Sequence, residues 1–421
     1  MQKLSPSKIN LILFLLLIGT TCQSFAQFNN LPLKAGQVAK YDVCGAIAYA
    51  RGKDVEDERR TPFPIPLLEA AYFGDTAEIK KLIAAGADVN AQGENGLSAL
   101  LVVTSSPNVA IATLLLDAGA DPNLPSDPSV TPLMNSASGK CVPLTKLLLE
   151  KGAKPNISAY NGRTALMNAA EADNTEAVRM LVAAGADIYL EDLDQRSALL
   201  LAIKARNLSL VQFFFARDKE GKFSASLDDA LQYAIMYAPT DIVEYILDKG
   251  ADPEGKDKKL GQPLGIAAQV GNIDIVKLLL DRGAQPNSFV QGHFPAITGA
   301  SIKGNVEIVK QLIEAKAEVN PKKQSWSPLT EAARGNHRDV MKLLIKAGAN
   351  LNERAYDGWT PLMMAASAGR HRPQAVKLLI ESGADINLRD DDDEKVTALA
   401  IARGNGWDDI VIMLLEAGAV D

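Results

Sequence analysis

Residues Gly261–Asn287 read GQPLGIAAQVGNIDIVKLLLDRGAQPN, and almost everything beyond the first sixty residues is a variation on this stretch. Gln262-Pro263-Leu264 starts a helix at a proline, where the missing N–H is one that no intrahelical partner would have used. Ala267-Ala268 give that helix a thin face for close packing. Gly271 marks a turn, and Ile275-Val276 with Leu278-Leu279-Leu280 make the next helix apolar over much of its surface. Gly283 then supplies a residue able to end that helix in a left-handed conformation. Two short helices cannot bury so much apolar surface alone, whereas copies stacked side by side can. The expected architecture is therefore an all-α solenoid of helix-turn-helix units, and the usual work of solenoids is binding.

The Gly-Ala landmark recurs at Gly86, Gly119, Gly152 and Gly185, then with Asp218 in its place, and again at Gly250, Gly283, Lys316, Gly348, Gly383 and Gly418. Successive spacings are 33, 33, 33, 33, 32, 33, 33, 32, 35 and 35 residues. The spacing predicts about eleven units and leaves little room for another domain between residue 62 and residue 421. The two longest spacings coincide with insertions around Arg370-His371-Arg372-Pro373 and Asp390–Asp393, which loops accommodate cheaply.

Gly358-Trp359-Thr360-Pro361-Leu362 followed by Ala365-Ala366, and Val376-Lys377-Leu378-Leu379-Ile380 followed by Gly383-Ala384-Asp385-Ile386-Asn387, resemble the first- and second-helix signatures of the ankyrin repeat family. The resemblance extends through all eleven units. It implies helix pairs joined by outward-pointing β-hairpin fingers, and protein binding as the general function. A recurrent asparagine at the finger base (Asn90, Asn123, Asn156, Asn287, Asn320, Asn352, Asn387) suits an irregular turn, because its amide can bond backbone groups; Tyr189 and Glu254 depart from it. The family often carries histidine after Thr-Pro-Leu. This chain has none there, and where Leu68, Leu101, Met134, Met167, Leu200 or Met363 stands at that position, apolar packing is expected in its place.

The N-terminal residues follow a different logic. Lys3 and Lys8 precede the apolar run Leu11–Ile18, and Ser24-Phe25-Ala26 offers small residues before Gln27, which reads as a secretory signal peptide over residues 1–26. The run falls well short of the ~20 residues a spanning helix needs, so no membrane association is expected after cleavage. Export implies the periplasm for a Gram-negative source and secretion otherwise. Residues 27–61 have no copy elsewhere and read as an N-terminal segment whose stretch Gln37–Ala50 forms a capping helix. Cys44 precedes the first unit and Cys141 lies in the third, which places them beyond disulfide reach in a linear stack unless the leader folds back.

The formal charge of −7 becomes −9 once residues 1–26, with two lysines and no acid, are removed. That sign argues against a nucleic-acid partner. No serine-hydrolase elbow, phosphate loop, zinc-protease motif or Cys-x-x-Cys occurs, so neither enzymatic activity nor a cofactor is expected. His293, His337 and His371 lie in different units without ligand spacing, and the run Asp390–Glu394 lacks the alternation of a calcium loop and reads as a solvated acidic finger.

Register supplies the candidate binding residues. The position three before each first-helix leucine lies where finger meets helix, and three successive units place Phe294, Trp326 and Trp359 there, a stripe of rigid aromatic anchors for a protein partner. Tyr160, Phe289 and Tyr356 are further finger candidates. Seven of the chain's aromatic residues lie between Phe213 and Tyr245, where the fifth and sixth units diverge, and they are expected to repack the interior of those units. The leading reading is a non-catalytic scaffold that binds a partner protein through its finger and first-helix concave face. Alternatives are a secreted effector or toxin-type binding protein, and a self-assembling structural protein whose homo-oligomer uses the helix around Ile412, an apolar residue where other units carry a polar one.

Overall fold

The computed structural model describes residues 65–420 apart from 106–107, 128, 140, 256–260, 290–293, 322–326, 356–357, 369–372 and 391–394. The signal peptide and N-terminal segment, Cys44, His293, His371 and the inserted residues 370–372 and 391–394 therefore lie outside it. The described residues belong to the compact unit Pro62–Asp421.

Short antiparallel helix pairs follow one another from Pro66–Phe73 with Thr76–Ala84 to Ala398–Gly404 with Asp408–Glu416. First helices pack on first helices of the next unit and second helices on second helices, so each unit covers its neighbours. The stretch 261–287 forms Pro263–Val270 and Ile273–Asp281, with proline in the first turn of the former and the Asn272 side chain capping the latter by accepting from the Ile275 amide. Leu264, Ala267 and Ala268 of the first helix and Ile275, Val276 and Leu279 of the second are buried. Gly283 has φ 95°, and the Ala284 amide bonds the Leu279 carbonyl at 2.9 Å, which closes the helix end in the left-handed form. Leu68 and Leu101 are buried, Met134, Met167 and Met363 are buried in the apolar core, and Leu200 is half-buried against it.

The finger-base asparagines join one unit to the next. Asn156 Nδ2 donates to the Gly185 carbonyl at 3.1 Å, and its Oδ1 accepts from the Asp187 amide at 2.8 Å. Asn90, Asn123, Asn287, Asn320 and Asn387 repeat both bonds with the following unit. Their reach thus goes beyond the local turn to the backbone about thirty residues on. Asn156→Ala is expected to cost about 1–2 kcal/mol, read as a lowered thermal midpoint with unchanged helical circular dichroism.

The two departures keep the joint by other chemistry. Tyr189 Oη donates to Asp218 Oδ1 at 2.9 Å, and the Asp218 carboxylate, standing where most other units have glycine, also accepts from the Lys222 and Phe223 amides at 3.0 Å. Glu254 Oε1 accepts from the Gln285 amide. Phe213, Phe214 and Phe223 are buried, and Phe215 makes edge contacts with Phe223 and Tyr245 at 5.9 and 5.7 Å. Most of this aromatic group is interior repacking; Tyr237 is the exposed member.

No strand forms among the described residues. Where the resemblance implied β-hairpin fingers, four fingers each carry one isolated antiparallel bridge, Gln92 to Ser98, Ser158 to Thr164, Glu191 to Ser197 and Arg389 to Thr397. The fingers turn back too soon to extend a ladder: the Gly162 amide bonds the Ala159 carbonyl within the Ser158–Thr164 finger. The solvated reading of the acidic finger is corrected at Asp390, which is buried and accepts from the Val396 amide at 2.8 Å as part of its finger's turn.

Candidate partner-binding face

Two successive fingers meet between the fourth and fifth units, counted by their landmarks Gly185 and Asp218. The Leu193 amide donates to the Asn161 carbonyl at 3.0 Å and ties the tips of two successive fingers together. Gly162 allows this approach: its φ is 79°, and a Cβ there would stand 2.9 Å from the Asp192 Cα. At these tips are the two most exposed large apolar side chains among the described residues, Leu193 at 77% and Tyr160 at 71%. Exposed apolar pairs on a fixed backbone are suited to anchor a partner.

Beneath the tips lies a charged network. Asp192 is buried, and its carboxylate accepts from the Asp194 and Arg196 amides at 3.0 Å and pairs with the Arg196 guanidinium at 2.9 Å. Arg163 lies 3.8 Å away on the other side and also pairs with Glu171, which pairs in turn with Lys204 at 3.0 Å. Arg163 and Arg196 occupy the register position that carries Phe294 and Trp359 in later units. Each charge in this set therefore has an opposite neighbour, and the finger carrying Leu193 is folded around a buried carboxylate.

Burial alone would raise the Glu171 carboxyl pKa, but Arg163 and Lys204 together outweigh it and hold it below 4.5. A carboxylate with a depressed folded-state pKa contributes stability that is present above about pH 4.5 and is lost as pH falls through the lowered value. A carbon-detected titration of Glu171 is expected to give a midpoint below 4.5, moving upward in Lys204→Met. Beside this network, burial and the neighbouring Tyr237 push the Tyr233 hydroxyl up to about 12.

Further along the same face Phe294 exposes 38% of its surface, and its carbonyl lies against Gly265, 3.4 Å from where a Cβ would stand. Phe289 is equally exposed at 38%. Trp359 is half-buried against the core, and its carbonyl accepts from the Ala355 amide at 2.9 Å. Trp326, the middle of the sequence stripe, and Tyr356 lie outside the described residues. The sequence reading missed Leu193 and Asp192. Both sit in the polar stretch Glu191–Gln195, where only the fold reveals that the leucine faces outward and the acid inward.

His337 stands alone among the three histidines in the described residues. Its Nε2 lies 3.0 Å from the Ile302 carbonyl, and its ring fills the space beside Gly304 and Gly335, a packing role between adjacent units. Among the described residues no group of three metal-ligating side chains comes together, and no helix is long and apolar enough to cross a membrane.

A family model described as ankyrin repeats (3 copies) matches the chain in overlapping segments, residues 67–159, 108–192, 143–224, 166–257, 199–290, 264–355, 297–390 and 352–421. No curated protein matches the chain.

Proposed function

This chain belongs to the ankyrin repeat family, whose repeats are in general protein–protein interaction modules, and from that premise we propose a non-catalytic scaffold that binds a partner protein through its finger and first-helix face. The observation that carries the reading is the pair Tyr160 and Leu193, held outward on adjoining finger tips by a backbone hydrogen bond and supported by the buried Asp192. Rigid, exposed apolar anchors bind with little ordering cost, because their orientation is fixed before the partner arrives. Phe289 and Phe294 extend the same face into the later units, and Trp359 borders it.

We place the work outside the cytoplasm, following the signal peptide read over residues 1–26. Affinity capture from the exported fraction with the chain Gln27–Asp421, beside Tyr160→Ser/Leu193→Ser, tests the reading. A protein retained by the former and lost from the latter supports the finger tips as anchors. Equal recovery by both would remove them from the site. Self-assembly is a second reading, supported by Ile412 and Leu415, exposed at 56% and 44% on one helix. A concentration-dependent mass in light scattering, abolished by Ile412→Lys, is its expected sign.

A further inference from the structure

At two unit junctions a cation one residue before the landmark pairs with an acid of the preceding unit, and at two others, those of Arg217 and Lys249, the preceding unit has no acid at the matching positions. Lys151, one residue before its landmark glycine, has Nζ 2.7 Å from Asp117 of the preceding unit. Arg282, at the same position four units on, lies 2.7 Å from Asp248 and 3.3 Å from Glu244. Asp117 and Asp248 stand two residues before their own landmarks, and Glu244 stands six before. Arg217 occupies the position of Lys151 and Arg282. At the two positions where the preceding unit would supply an acid, it has Ala183 and Arg179.

The preceding unit thus brings a second arginine to the same ring as the first. The Arg217 guanidinium carbon lies 3.6 Å and that of Arg179 4.8 Å from the centroid of the Phe213 ring, so the two cations stand no farther apart than the sum of these distances. Phe213 is buried and gives both a fixed support. Both arginines are exposed, and neither pairs with a carboxylate among the described residues. Glu176 lines the shallow groove beside Arg179 together with Thr175, Met180 and Ala183, but is not within ion-pair distance. Elsewhere Arg163, Arg196, Arg282 and Arg334 all engage acids. Two close like charges repel, and a guanidinium stacked on a ring keeps its N–H edge free for an anion.

We propose that Arg179 and Arg217 form an anion clamp on the second-helix face of the fourth and fifth units, which takes an oxyanion of a ligand, carboxylate or phosphate, in the place that Asp117 and Asp248 fill at two other junctions. The clamp lies on other helices than the finger-tip site and does not depend on it.

The full chain is titrated with sodium phosphate and, separately, with sodium acetate at constant ionic strength, and the arginine Nε–H resonances are followed. Saturable shifts of two arginine resonances are expected, with affinity about tenfold weaker in Arg179→Gln or Arg217→Gln. Ala183→Asp restores an acid where Asp117 and Asp248 stand; it is expected to keep the fold and both arginines yet abolish anion binding. Tighter binding of phosphate points to a phosphorylated ligand, and tighter binding of acetate to an acidic peptide. The absence of saturable shifts with either anion, or binding that is undiminished in Arg217→Gln or persists in Ala183→Asp, overturns the proposal.

Discussion

Asp192→Ala is expected to cost about 2–3 kcal/mol, because it leaves Arg196 and Arg163 facing a buried gap that neither can fill. This lies at or below the low end of the ~3–5 kcal/mol usual for a broken buried pair, since the Arg196 side chain is 28% exposed and water can solvate part of its charge. The loss has a second component. The Asp192 carboxylate accepts from two amides of its own finger, at Asp194 and Arg196, so its removal also frees the turn that carries Leu193. Partner binding is therefore expected to fall by more than the stability loss alone implies. Asp192→Asn keeps the shape and some of the hydrogen bonds but not the charge, and should lie between the two. Urea unfolding followed by circular dichroism, together with hydrogen exchange at the Leu193 and Arg196 amides, separates the global cost from the local one.

Phe214→Ala is expected to cost about 3–5 kcal/mol, the range for removing a fully buried phenyl ring and leaving most of its cavity unfilled. Phe214 is fully buried, and its ring packs edge-on against Phe213 at 5.8 Å. Its unit also ends without a glycine and is joined to its predecessor through Tyr189 and Asp218. In a linear array each unit is stabilised only by its neighbours, so damage to an interior unit can uncouple the two sides. Unfolding of this variant is expected to broaden or split into two transitions, with the amides of residues 198–248 exchanging first. A single sharp transition shifted by less than about 1 kcal/mol would mean that the site collapses around the deletion.

The sequence made the repeating part legible because each unit had to solve the same packing problem with the same residue types. Pro263, Ala267-Ala268, Leu279 and Gly283 report a start, a thin face, a buried ridge and a stop, and each behaves that way in the structure. The asparagines were half legible. An amide able to bond an irregular turn is readable from chemistry, but its partner thirty residues away depends on how units stack. For the same reason Tyr189 and Asp218 looked like two separate departures, although a 2.9 Å hydrogen bond makes them one compensation.

The binding face is less legible than the core. Side-chain exposure at a finger tip is set by backbone geometry that composition does not encode, so nothing in the polar stretch Glu191–Gln195 marks Leu193 as outward or Asp192 as inward, and Asp390 reads as part of a solvated acidic run. Aromatic residue type drew attention to register positions, yet Trp359 packs half-buried and Phe294 remains exposed at the same position.

Site-specific photocrosslinking in the native source tests the central claim most directly. A photoreactive residue is placed at Tyr160 or Leu193 on the finger tips, and at Lys277 on an exposed second-helix position as the control. One protein adduct of the same mass from positions 160 and 193, absent from 277, is the expected result. Adducts from 277 alone, or none from the finger tips when the chain is present at its natural level, would contradict partner binding through this face.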